Sequence, residues 1–259
     1  MFPLFFHYDT YERHKVVSTL FRNLYINNML DVGGRSGILR KFVQAEIITL
    51  NIDLSSDIQA DGTVMPFIDN CFSAVITLDT IEHIPKDIRI SFLKECLRVT
   101  NCFLLVAAPF GSNKHKEYEK KLNKLYINLT GKVHQYLDEH IKNGIPSKKE
   151  INKWIRELEL SKSQVYFAGD YIWQCKNFEK IVLNKKQKGC FSYIKLLYAY
   201  LSSIALFHPI IKLKKIHYNS ANRFYLFIEK NDSIRARRDA QKKSKVRCSR
   251  PRIKNNTLI

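Results

Sequence analysis

The sequence predicts a doubly wound α/β domain, and three observations carry that expectation. Short, nearly continuous apolar runs recur at "NMLDVGG" (28–34), "IITLNID" (47–53), "AVITLDT" (74–80) and "CFLLVAAPF" (102–110), separated by segments of helical periodicity. Runs of this kind suit parallel strands covered on both faces. Gly33, Gly34 and Gly37 follow the first run directly, in a chain with only 9 glycines. Such a turn lets the backbone bend sharply and lets a ligand approach it closely. At 259 residues, 45% hydrophobic and 26% charged, the chain is long enough and apolar enough to bury a sizeable core.

Each element follows from local signals. Thr10 reads as the cap of a helix reaching about Tyr25, with Val16, Val17, Leu20 and Leu24 on one face. "SGILRKFV" (36–43) and "PKDIRISFLKECLRV" (85–99) read as helices. Residues 112–146 are polar, aromatic and rich in His and Lys. They form a long connection, expected over 111–146 to cover the pocket as an acceptor lid. "SKKEINKWIRELEL" (147–160) opens with Ser147 and has Glu150 three residues on, the signature of a capping box. "QVYFAG" (164–169) is a strand candidate and "NRFYLFIEK" (222–230) a clear strand.

Residues 191–207 are almost wholly apolar, with Ser192, Lys195, Ala199 and Ser202 as a narrow polar stripe and lysines at both ends. The run is at the lower length limit for a membrane span and would place Lys195 in lipid. An apolar helical insertion over 185–215, lying in an anionic membrane interface or packed in a core or dimer, fits better. Residues 231–259 are basic and poor in apolar side chains, so they read as a disordered tail after one domain of 1–230.

The net charge is +19, of which the tail supplies +8 and the first 230 residues +11. That favours an anionic partner such as nucleic acid, an anionic membrane or a phosphorylated substrate, or else reflects a solvated lysine-rich surface. Six cysteines are scattered with no spacing suited to a metal, so no metal is expected. Free, mostly buried thiols at Cys71, Cys96 and Cys102 fit a cytoplasmic location. The apolar start lacks a basic n-region, so it is not read as a signal peptide.

The glycine turn sits where doubly wound folds bind nucleotides. Asp53, 22 residues beyond Asp31, ends the second strand and can accept hydrogen bonds from a ribose diol. "DVGGRSG" (31–37) fits neither the dinucleotide fingerprint nor a P-loop. It resembles motif I of class I S-adenosylmethionine-dependent methyltransferases, with Asp31, Gly33 and Gly37 matching and Arg35 replacing the middle glycine. "ADGTVMPFIDNCFSAVITLDTIEHI" (60–84) resembles the type-11 methyltransferase pattern. There Asp61 takes the acid position, Gly62 the small one, Met65-Pro66-Phe67 the "LPF" turn, and His83 the histidine after the fourth strand. "HQYLDEHIKNGIPSKKEI" (134–151), "GDYIW" (169–173) and "NRFYLFIEK" resemble a bacterial branch associated with surface polysaccharides.

The resemblance implies a Rossmann-like, mostly parallel sheet with an antiparallel last strand, the class I methyltransferase fold with helical insertions. It also implies an S-adenosyl-L-methionine cofactor. Asp31 would face the methionyl ammonium, with Gly33, Gly34 and Gly37 forming the turn. Asp53 would meet the ribose, Asp61 and Gly62 the adenine, and Asp79 and His83 would complete the pocket. The implied acceptor is a sugar hydroxyl of a cell-surface glycan or its lipid-linked precursor. An RNA, a lipid-like or quinone-type molecule, or a non-catalytic cofactor-binding module are the alternatives. Contact with the inner face of an anionic membrane is a further expectation. No RNA-recognition, helix-turn-helix or "NPPY" signature is present, so nucleic acid is not favoured.

Methyl transfer to a hydroxyl benefits from a base. Candidates are Asp79, His83, His115, His134, Glu139 and His140. Asp79 equally suits a helix cap and His83 a pocket wall. Glu139 beside His140 suggests a carboxylate-tuned base, or two residues on a solvated helix face.

Overall fold

A computed structural model describes residues 3–35, 37–186, 194, 197, 198, 200–207 and 210–230. The elements are α1 (Tyr8–Phe21), β1 (Asn28–Val32), β2 (Glu46–Asn51), β3 (Ile58–Gln59), β4 (Phe72–Leu78) and α2 (Arg89–Val99). They continue as β5 (Thr100–Pro109), α3 (Asn113–Thr130), α4 (Gln135–Asn143), α5 (Lys148–Glu157), β6 (Ser163–Ala168), α6 (Tyr171–Lys186) and β7 (Arg223–Glu229). The sheet order is β3-β2-β1-β4-β5-β7-β6. β1 to β5 run parallel, and β7 lies antiparallel between β5 and β6. The chain winds one way from β1 to β2 and β3, then returns to place β4 on the other side of β1. This leaves a crevice at the carboxyl ends of β1 and β4.

Alternating strand residues feed two apolar layers. Leu30, Val75, Leu104 and Leu226 pack with Phe92 and Cys96 of α2 and Ile151 and Trp154 of α5. Met29, Ile76, Leu105 and Tyr225 pack with Val16, Val17 and Phe21 of α1. Both layers are needed because a parallel strand is apolar on both sides. The doubly wound fold with its antiparallel last strand is thus borne out.

Several local expectations are corrected. The turn after β1 leads only into a 3-10 turn, Ile38–Lys41, rather than a helix over 36–43. The Arg40 guanidinium donates to the Ile47 carbonyl (2.9 Å) and to Asp57, which draws the chain straight into β2. α1 starts at Tyr8 and ends at Phe21, so Thr10 lies inside it and does not cap it. β2 ends at Asn51, which leaves Asp53 beyond the strand. Residues 111–146 form two helices, with Ser112 capping α3 and His134 capping α4 through side-chain acceptors. Ser147 caps α5 as expected, accepting from the Glu150 amide at 3.3 Å. α6 was not anticipated, although Asp170 in "GDYIW" caps it by accepting from the Ile172 and Trp173 amides.

The tail 231–259 and much of the 185–215 insertion lie outside the described residues. Among the described residues no helix is long and apolar enough to cross a membrane.

One buried cation fixes the lid. Arg89 of α2 is fully buried. It donates to Glu150 of α5 (2.6 Å) and to the carbonyls of Asn143 (3.1 Å) and Gly144 (2.7 Å) at the end of α4. Asn143 in turn donates to the His83 carbonyl at 2.8 Å. The carboxyl end of α4 is therefore tied to the turn that follows β4, and α4 lies across the crevice.

Candidate active site

The crevice is a cleft of about 930 Å³. Its floor comes from the carboxyl ends of β1, β2 and β4, and its roof from α3, α4 and α6.

The floor begins with Asp31. β1 is buried, and Asp31 with it, at 5% exposure. Its Oδ1 has no hydrogen-bond partner. Burial raises its pKa to about 7, and Arg13 and Arg40 offset that only in part. The glycine turn is shaped around this carboxylate. Gly33 has φ +81, and a Cβ there would strike the Thr80 side chain. A Cβ on Gly34 would strike the Asp31 carboxylate itself. Gly37, at φ +60, starts the 3-10 turn. A side chain at Gly34 would therefore crowd Asp31, and one at Gly33 would crowd Thr80.

Asn51, the last residue of β2, lines the cleft and donates to the Gly33 carbonyl at 3.2 Å. Asp53 stands at the rim, outside the cleft wall. It accepts from the Ser55 amide and hydroxyl and pairs with Arg35 at 3.2 Å. Arg35 also donates to the Tyr136 hydroxyl of α4 at 3.1 Å. The residue that replaces the motif's middle glycine thus bridges the loop after β2 and the lid. Asp61 lines the far wall, with Oδ1 held by the Thr63 amide and hydroxyl at 2.8 Å each. Gly62 lets Phe92 pack against the backbone, where a Cβ would come within 2.7 Å of the ring.

Asp79 does not fit the expected role of a base. It follows β4 at φ 50. Arg223 donates to both its oxygens (2.8 and 2.7 Å) and Arg13 to one (2.7 Å). Burial pushes its pKa up, but Arg223 and then Arg13 overcome this and hold it below the usual carboxylate range. Asp9 and Glu12 of α1 complete the cluster around Arg223. Asp79 lines the cleft as a strut between α1, β4 and β7.

The roof corrects a second expectation. Glu139 does not support His140. Consecutive residues on a helix point in different directions. Glu139 accepts from His83 Nδ1 at 2.5 Å, whereas His140 Nδ1 donates to Glu119 of α3 at 3.1 Å. Burial lowers the His140 pKa, but the hydrogen bond and charge of Glu119 outweigh it and the net shift is upward. Burial and the neighbouring His140 lower His83 despite Glu139. Beside both rings lies Glu82, fully buried, with neither oxygen hydrogen-bonded. Burial raises Glu82 to about 8. His115 is also buried and donates to the Phe110 carbonyl at 3.0 Å, with its ring stacked on Tyr171. It is a packed strut rather than an open base. His134 caps α4 and lines the cleft with Tyr136.

Sequence reasoning did not single out Glu82, Glu119, Arg13, Asn51 or Arg223. Arg223 carried a signal, as a cation opening an otherwise apolar buried strand. Glu82 stood beside His83 in "TIEHI".

The chain is similar to a solved S-adenosylmethionine-dependent methyltransferase of Thermotoga maritima. The TM-score is 0.54 and the identity 15%, covering 86% of this chain and 90% of that one. Similar too are a methyltransferase of this kind from Archaeoglobus fulgidus (TM-score 0.46, 11% identity, 83% and 94% covered) and the phosphoethanolamine N-methyltransferase 2 of Haemonchus contortus in complex with S-adenosyl-L-methionine (0.48, 13%, 83% and 52%). No family model and no curated protein matches. The Thermotoga likeness, with the strand order, establishes the class I methyltransferase fold.

Proposed function

We propose that this chain is a methyltransferase that uses S-adenosyl-L-methionine and methylates a hydroxyl of an acceptor bound beneath α3 and α4. The observation that carries it is Asp31. A buried carboxylate that lines the cleft beside a glycine turn and has one oxygen without a partner suits a cationic ligand. The methionyl ammonium supplies that cation. When bound, the cofactor provides an electrophilic methyl group on a positively charged sulfur.

Asp31 binds the ammonium and orients the methionyl end. Asp53, with Arg35 across the rim, meets the ribose hydroxyls, and Asp61 uses the oxygen not held by Thr63 for the adenine amino group. Gly33, Gly34 and Gly62 keep the wall thin enough for close approach. The roof excludes water and orients the acceptor hydroxyl beside Glu82, His83 and His140, which lowers the barrier chiefly by positioning.

We assign the acceptor to a sugar of a cell-surface glycan or its lipid-linked precursor. Tyr136, His134 and Phe178 in the cleft support this, since flat faces together with hydrogen-bonding edges suit a sugar. The test is label transfer from methyl-labelled S-adenosylmethionine into separated glycan, RNA and lipid fractions. Label in glycan alone is expected, and label confined to RNA or lipid would overturn the acceptor assignment. We further propose peripheral contact of residues 185–215 with anionic membrane. The exposed Ile194, Leu197, Tyr198 and Leu201 support it. Co-sedimentation with anionic but not neutral vesicles is expected, and none with either would reject it.

A further inference from the structure

We propose that Glu82, His83 and His140 form a binding site for one divalent transition-metal ion. Each offers one ligand atom, and the three atoms lie within 4.8 Å of one another. Glu82 Oε1 is 4.0 Å from His83 Nε2, and the two imidazole rings are 5.1 Å apart. Glu82 and His83 share the 3-10 turn Ile81–His83 after β4, and His140 reaches them from α4. Arg89 and Asn143 tie α4 to that turn across the fold, so no local Cys/His spacing reveals the site.

Two features separate this cluster from an ordinary polar pocket. Each histidine already has its Nδ1 engaged by its own carboxylate, His83 by Glu139 and His140 by Glu119. An ionised carboxylate only accepts, so Nδ1 carries the hydrogen and Nε2 keeps a lone pair. That is the arrangement by which outer carboxylates orient metal-ligating imidazoles. The second feature is Glu82, fully buried with neither oxygen hydrogen-bonded. A carboxylate left this way is costly, and a cation ligated by it removes the cost.

Two imidazoles and one carboxylate match zinc, manganese, iron or cobalt better than magnesium or calcium, which take mostly oxygen ligands. Three protein ligands leave further coordination positions, and all three residues line the cleft. On the methyltransferase proposal, on which this clause rests, those positions receive the acceptor oxygen and acidify its hydroxyl. Glu119 and Glu139 are then positioning residues.

The test uses the full chain, stripped of metal by a chelator and titrated with Zn²⁺ by calorimetry and with Co²⁺ by visible absorption. Neither cofactor nor acceptor is added. About one ion per chain is expected, with cobalt ligand-field bands. His83→Gln and His140→Gln alter partly exposed side chains and are each expected to weaken binding at least a hundredfold. Glu139→Gln should weaken it about tenfold. Glu82→Gln is read once its melting curve and S-adenosylmethionine affinity match the parent. No binding by the parent, or parental affinity in both histidine variants, would overturn the site. The same preparations titrated with S-adenosylmethionine keep the two proposals apart. Cofactor binding without metal binding removes only the metal site, and the reverse removes only the methyltransferase proposal.

Discussion

Asp31 and Asp79 stand at the carboxyl ends of the adjacent strands β1 and β4 and line one cleft, yet their surroundings are opposite. Asp79 receives three guanidinium hydrogen bonds and is held ionised. Asp31 has an oxygen with no partner, and burial raises it to about 7. A carboxylate satisfied within the fold joins elements, and one left open in a cavity is poised for a cation from outside. Position at the sheet edge does not by itself make a ligand-binding acid. What the rest of the chain leaves unpaired decides it.

Arg223→Met removes the cation shared by Asp79, Asp9 and Glu12, leaving Glu12 without that counter-charge and Asp79 and Asp9 with Arg13 alone. Unfolding free energy should fall by about 3–5 kcal/mol, read as a lower urea midpoint. A loss below about 1 kcal/mol would mean that Arg13 alone holds Asp79.

Asp31→Asn should act in the opposite direction on the ligand-free chain. The folded value is about 7 against an ordinary 3.8. Between those pH values the folded chain holds a proton that the unfolded chain has lost. The stability Asp31 allows is therefore full below pH 3.8 and declines as pH rises through about 7. The variant should gain on the order of 4 kcal/mol at pH 8 and almost nothing at pH 4. Thermal melts at the two pH values check it.

On the acceptor side, His140→Ala should lower kcat about a hundredfold, of the order expected for loss of proton-handling or metal-ligating groups. Cofactor affinity should stay within about twofold, because His140 lies in the roof. Steady-state kinetics together with calorimetry separate the two. The smallest effect is expected at Asp53. Asp53→Ala should weaken cofactor binding about tenfold, near 1.4 kcal/mol, because it acts from the rim. Unchanged affinity would pass the ribose role to Asn51.

In the half of the cleft built from residues 29–110, the parts with local signals were legible, although Asn51 and Glu82 there were not singled out. Apolar strands, the Gly33–Gly37 turn and the Asp61-Gly62 pair are each specified by a few consecutive residues. The other half was not. Glu139 and His140 are neighbours in sequence but face different partners on α4, so adjacency suggested a dyad that the helix forbids. Arg13, Asp79 and Arg223 come from α1, the end of β4 and β7, and only the assembled sheet brings them together. Helix extents failed where a tertiary contact overrode propensity, as when Arg40 cut the run at 38–41 to a single turn.

The most direct measurement is calorimetric titration of S-adenosyl-L-methionine into the full chain and into Asp31→Asn at pH 6 and pH 8. The parent should bind one molecule per chain, more tightly at pH 8, releasing a proton at pH 6 as Asp31 ionises. The variant should bind at least a hundredfold more weakly, with no proton release. No binding by the parent, or equal binding by the variant at both pH values, would contradict the assignment of Asp31 as the cation-binding acid of the cleft.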